Sequence, residues 1–335
     1  MMSLFKQTRS AGSSAPAGAA RGALIGNLPL RRLLSPWGFI VLLVGFSAIF
    51  VRQLLEPNGI NSVLLLTSMM AMAALAQSFV ILVGGIDLSI PMVAAYSGIF
   101  LNWFANSQDG PLIWLVPVVL AFGCAMGAIN GIGVVLLKVH PIVMTMALSA
   151  ILEGAIMLFT SGTSKGNAPE AIGWFVTGRI GGIFTSVLVM LALAAVVCVF
   201  QSYTSFGRKL YAIGNNRRAA KLSGIRVQLY EFLAYVLCGF FASVLGIMIT
   251  GFVRQAYVKM ANGYLLVSIA AVAVGGAQMN GGKGHHLGTL GGAIMLSLVS
   301  VILTSFMMPE GVRNICFGLI ILLAVFGIRE KKVGA

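Results

Sequence analysis

Charge is what this sequence lacks. Only 9% of its 335 residues are Asp, Glu, Lys or Arg, and just eight are acidic, while 59% are hydrophobic. Soluble domains are about 25% charged and about 45–50% apolar, so a water-facing surface over most of the chain is excluded. Composition therefore points to an integral membrane protein in a lipid bilayer. Cysteine is scarce too. Cys124, Cys198, Cys238 and Cys316 stand singly inside apolar runs without CxxC spacing. They read as small buried side chains rather than redox or metal ligands. Catalytic signatures are missing as well, with no HExxH, no GxSxG and no carboxylate pair at usable spacing. Nor is there a phosphate-binding loop. The one Gly-Lys step, Gly282-Lys283, is followed by Gly284 instead of Ser or Thr, and Ala277 stands where the leading Gly belongs. The chain is thus expected to carry no cofactor or metal and to be no enzyme. Uphill work would need a separate subunit holding ATP and Mg.

What is present is a series of apolar runs. A spanning helix needs about 20 mostly apolar residues, and ten runs qualify: 36–53, 61–81, 88–105, 112–137, 141–160, 182–202, 229–251, 264–279, 287–307 and 312–328. Residues 1–35, rich in Ser, Ala, Gly and Arg, read as a flexible basic cytoplasmic arm. The first run leads into Arg52-Gln53-Leu54 rather than small residues, so it is a retained anchor and not a cleaved signal. With the arm inside and ten crossings, 16 of the 22 Lys and Arg lie on the cytoplasmic side and six outside. That distribution obeys the positive-inside rule. It explains the net charge of +14 without nucleic acid, for which a basic-aromatic surface is lacking. The expected fold class is all-α and polytopic, with about ten transmembrane helices and both termini cytoplasmic. The membrane domain covers 36–328, a cytoplasmic loop 203–228, and a short tail 329–335.

Within the runs, glycines such as Gly123, Gly127, Gly131, Gly288, Gly291 and Gly292 suit close helix contact, since burying apolar surface gains little in lipid. Three polar positions stand out. Asp87 and Ser89, in "LVGGIDLSIP", place a carboxylate at a junction of two spans. Asp87 either N-caps the third span or anchors the pathway where it meets cytosolic machinery. Glu153 is the acid set deepest in a span. An acid there is either a pathway residue, facing solute or a cation on another helix, or a protonated packing residue. Glu231 opens the seventh run, where the helix dipole alone accounts for it. His285 and His286 are adjacent and cannot share one helix face.

The stretch "SFGRKLYAIGNNRRAAKLSGIRV" (205–227) breaks the apolar pattern with six Lys or Arg. Asn216 suits an N-cap, Ala219 and Ala220 favour helix, and Gly224 suits a left-handed stop. Leu222 and the Ala pair give the segment a small apolar face. Arg217 and Arg218 sit in its first turn, where they oppose the helix dipole. That placement makes sense if a partner supplies negative charge, and the segment is read as a docking helix.

Three stretches carry a family resemblance: "FVILVGGIDLSI", "GRKLYAIGNNRRAAKLSGIRV" and "VAVGGAQMNGGKGHHLGTLGGA". In this order, over about residues 40–328, the chain resembles the permease subunit of ribose-, xylose- and galactose-type carbohydrate ABC importers. The resemblance implies an inner-membrane permease for a monosaccharide or sugar-like solute. It would work beside a second permease copy or paralogue, be fed by a periplasmic solute-binding protein and be driven by cytosolic ATPase subunits. Gly207, Gly214, Asn216, Arg217, Arg218, Ala219, Ala220, Leu222 and Gly224 would form the ATPase-coupling element. Such permeases commonly have acidic residues at positions 217 and 218, and an Arg near Glu153. The alternative function is an ion-coupled secondary transporter using Asp87 and Glu153.

Overall fold

The protein is described by a computed structural model covering residues 30–163 and 166–327. Residues 1–29 of the expected arm and 328–335, which include the expected tail, lie outside the described residues. Helix α1 (Leu30–Phe50) already begins within the stretch assigned to the arm, and a 3-10 turn (Arg52–Leu55) follows it. Next come α2 (Pro57–Leu82), α3 (Ile90–Ala105), α4 (Leu112–Val135) and α5 (Pro141–Thr160). A short α6 (Glu170–Thr177) and a hairpin of β1 (Arg179–Ile180) and β2 (Ile183–Phe184) lead into α7 (Thr185–Tyr203). Then follow α8 (Ser205–Asn215), α9 (Arg217–Leu222), α10 (Val227–Val253), α11 (Tyr264–Val274), α12 (His286–Ser305) and α13 (Glu310–Gly327).

A helix lies on each apolar run. Among the described residues six are long and apolar enough to cross a membrane by length and composition: α2, α4, α5, α7, α10 and α12. Neither α6 nor the hairpin was anticipated, although Gly181-Gly182 gave a signal. Both glycines have positive φ (60° and 84°), as a two-residue turn between paired strands requires.

Helix α2 is the axis of the molecule. Every residue from Thr67 to Leu82 is buried, so it is apolar all round, as a helix surrounded by others must be. Helices α10, α11 and α12 pack against it. Around the outside, α4 and α5 bury a single stripe and leave the rest of their surface exposed, as lipid-facing helices do. The most extensive helix pair, α4 with α10, is held by small residues. A Cβ on Gly123 would run into the carbonyl of Gly239, and one on Gly239 into the carbonyl of Gly123. Neither position can accept a side chain, so the backbones touch.

Candidate functional site

At one end of the bundle the three resemblance motifs meet. Helix α2 ends at Leu82, and Gly84 turns the chain in the left-handed region (φ 85°). The carbonyl of Leu82 accepts the N–H of Gly282 at 2.9 Å, joining the first motif to the third. Helix α8 lies across this joint. Gly214 approaches so closely that a Cβ there would meet both the Leu82 carbonyl and the Gly282 backbone. Asn215 Nδ2 donates to Gly282 O at 3.0 Å, and Tyr211 Oη to Gly284 O at 2.5 Å. Burial pushes the Tyr211 phenol pKa up, which keeps it a donor. Gly207 is equally confined, its missing Cβ facing the Gln201 carbonyl.

The chain breaks at Asn216 (φ −159°, ψ 100°) and restarts as α9. Asn216 Oδ1 accepts the Ala219 N–H at 3.0 Å, and Gly224 follows at φ 79°. Two cationic side chains tie α8 and α9 to the start of α10. Lys209 Nζ donates to Tyr230 Oη at 2.6 Å, and Arg217 forms an ion pair with Glu231. This corrects two expectations. Glu231 does more than complement a helix terminus, and the negative charge facing Arg217 comes from this chain. The apolar face is also divided. Ala220 is buried against the body, whereas Ala219 is exposed and Leu222 is 83% exposed. Arg218, Lys221 and Arg226 are exposed too, with no partner among the described residues.

Just beyond, residues 87–89 bind five helices together. Asp87 Oδ1 accepts the N–H (2.8 Å) and hydroxyl (2.6 Å) of Ser89, and Asn130 Nδ2 on α4 donates to Ser89 Oγ at 2.9 Å. Asn130 and Cys238 of α10 approach Asp87 Oδ2 at 3.4 Å each. With its amide oriented to satisfy both partners, Gln77 of α2 donates to Asp87 O (3.0 Å) and accepts Asp87 N–H (3.2 Å). Thr145 of α5 accepts the Leu88 N–H at 3.1 Å. Asp87 is therefore not an N-cap. Helix α3 starts at Ile90, and its first-turn amides do not reach the carboxylate. Cys238, read as an apolar filler, is one of its partners. Glu153 is set apart from this cluster. It is only half-buried and has no partner among the described residues, so the cation pairing that was one of its alternatives is not seen there.

The two histidines staple the start of α12 to separate helices. His285 Nδ1 accepts the Leu287 N–H (3.1 Å), and its Nε2 faces Ser202 Oγ of the α7 end (2.9 Å). His286 Nδ1 meets Ser78 Oγ of α2 at 2.9 Å. Nothing in the residue pattern specified these two hydroxyls, which lie 83 and 208 positions away.

Residues 59–325 match the family described as the branched-chain amino acid transport system / permease component. The ribose import permease protein RbsC of Escherichia coli (strain K12) is 31% identical over 88% of this chain and 92% of its own length. The fructose import permease protein FruF of Bifidobacterium longum is 29% identical, covering 82% of each chain. The D-allose transport system permease protein AlsC of E. coli is 26% identical over 84% of this chain and 86% of its own. No solved structure matches. A largely helical membrane body and a match over most of its length place this chain in the permease-component family of membrane transport systems.

Proposed function

We propose that the protein is the permease subunit of an ATP-driven importer of a monosaccharide, lying in the bacterial inner membrane. The reading rests on one observation above all. Helix α8 is hydrogen-bonded to the 275–285 loop and packs through Gly214 against the Leu82 carbonyl at the end of α2, so a push on α8–α9 moves the helices on either side of that joint. A cytosolic ATPase carrying ATP and Mg would bind the exposed residues Arg218, Ala219, Lys221 and Leu222. Gly207, Gly214 and Ala220 lie against the body and, with Arg217 paired to Glu231, would transmit the motion, with Asn216 and Gly224 holding the geometry of α9. The Asp87–Ser89 knot would be the fixed point about which helices rock.

In this reading ten helices cross the bilayer and both termini are cytoplasmic. A second permease copy or paralogue completes the pathway, and a periplasmic binding protein delivers the solute. The ribose, fructose and allose permeases among its relatives support a monosaccharide. The test is uptake of labelled ribose, fructose and allose into proteoliposomes containing the permease, its neighbouring-gene ATPase and binding protein. ATP-dependent uptake of one of them supports the reading. Uptake driven by a proton or sodium gradient without the ATPase would overturn it in favour of ion coupling.

A further inference from the structure

Helix α10 is 27 residues long, about 40 Å at 1.5 Å per residue. Its start carries Glu231 and the α9 contact; its far end, Val253–Gln255, lies at the opposite face of the bundle. There a cleft of about 910 Å³ opens between the ends of α3 and α10 and the helix α6, within the size range of small-molecule sites. From this cleft we infer a carbohydrate-contact site on the permease itself, with the Trp174 indole as a stacking platform and Glu170, Asn167, Gln255 and Arg254 as hydroxyl partners. The inference rests on the monosaccharide-importer reading above.

The walls show why. Helix α6 buries Ile172, Gly173 and Val176, which suffices to seat it. Glu170 and Trp174, one turn apart, turn instead to the cleft, and Trp174 stays 57% exposed. Tryptophan at a membrane interface is commonly an anchor with an apolar flank. This one is flanked by planar polar groups, which together with an aromatic face suit a sugar ring with its apolar C–H face and rim of hydroxyls. The walls are also fixed. Arg254 holds a left-handed backbone (φ 64°), a conformation that costs free energy for a side-chain-bearing residue. It accepts the Ala168 N–H at 2.9 Å through its carbonyl, and its guanidinium lies where a Cβ on Gly173 would be. One residue thereby joins the 167–168 segment, α6 and the end of α10.

Polar groups continue inward from the cleft. Thr250 lies one turn below Arg254 on α10, and Asn102 lies below the cleft-lining Ser107 at the end of α3. Both are fully buried, and neither the Thr250 hydroxyl nor either atom of the Asn102 amide has a hydrogen-bond partner among the described residues. Buried polar atoms are rarely left unpaired.

The experiment uses the full chain in nanodiscs, without binding protein or ATPase, titrated with ribose, fructose and allose. Binding is read by saturation-transfer NMR and by tryptophan emission. Wild type is expected to give weak, saturable binding to a sugar that it also imports. Trp174→Ala is expected to weaken it by about tenfold, the loss of roughly 1.4 kcal/mol of stacking, and Gln255→Ala by a smaller factor. Trp114→Phe should leave the emission change intact. Unaltered binding in both cleft variants overturns the site. In a second titration with the binding protein added, a Trp174→Ala permease that keeps sugar binding but loses affinity for that protein also overturns it, since the cleft would then be a docking groove. Uptake by the complete proteoliposomes separates the two levels. Uptake without binding to the isolated permease sinks the cleft site alone, and absence of uptake of all three sugars sinks the importer reading beneath it.

Discussion

Arg217 and Glu231 form an ion pair that joins the first residue of α9 to the first turns of α10, with the carboxylate buried and the guanidinium 62% exposed. The pair fixes α9 against the start of α10, and it makes the two residues unequal. Glu231 cannot lose its partner without leaving a buried charge, whereas Arg217 without Glu231 returns to water.

Arg217→Ala should therefore destabilise the permease by on the order of 1–2 kcal/mol, below the cost of breaking a fully buried pair because Arg217 is largely exposed. Glu231→Gln in the same chain should recover most of that loss. Thermal unfolding in detergent of the two single variants and the double variant checks this. Additive losses would mean that the pair contributes nothing.

The outward and inward faces of α9 should separate in their effects. Arg218→Glu and Leu222→Asp alter exposed side chains, so the permease should fold with an unchanged melting temperature while recovering less ATPase in co-purification. Ala220→Asp places a carboxylate in a buried position and should lower the melting temperature itself. Equal ATPase recovery from wild type and Leu222→Asp would remove the docking role.

Much of the fold and part of the site could be read from the sequence, and the division follows the range of the interactions. The apolar runs located the helices because bilayer thickness is encoded in consecutive residues. Asn216 and Gly224 were legible as caps because both act within a turn of their own position. The partner of Arg217 was not legible, since Glu231 lies 14 positions on, beyond helical neighbours and across the turn at Gly224. The sequence could not decide between the two readings of Asp87, and the N-cap alternative fails, for a related reason. Its environment is built by Asn130, Cys238 and Gln77 from three other helices, and only the packed structure brings them together. Depth in a span left two readings of Glu153 open, because position along a helix does not say which way the side chain faces.

Gly214→Ala tests the joint between α8 and the body. The added methyl group would meet the Leu82 carbonyl and the Gly282 backbone, neither of which can move as a flexible side chain would. A loss of about 1–3 kcal/mol is expected from such overpacking. ATP-driven uptake should fall more steeply than protein level in the membrane. Wild-type uptake would show that α8 need not lie against α2.

Glu153→Gln should transport like wild type under the importer reading, because the carboxylate is half-buried and has no partner among the described residues. Uptake rate and substrate preference in proteoliposomes are the readouts. Abolished uptake would return Glu153 to the pathway and favour ion coupling.

Acidification should loosen the start of α12 through His285. Burial holds its pKa below the ordinary 6.5, and the neutral ring is the form whose Nδ1 accepts the Leu287 N–H. A proton there would remove the acceptor and add positive charge at a helix N-terminus. Because the folded-state pKa is depressed, the stabilisation is complete above the unfolded value and is lost as pH falls below it toward the folded one. The protection factors of the first-turn amides of α12, corrected for the pH dependence of intrinsic exchange, should therefore fall between about pH 7 and pH 5. Asn at position 285 can cap without titrating, so His285→Asn should flatten this dependence relative to wild type. The same pH slope in both proteins would move the sensitivity to another group.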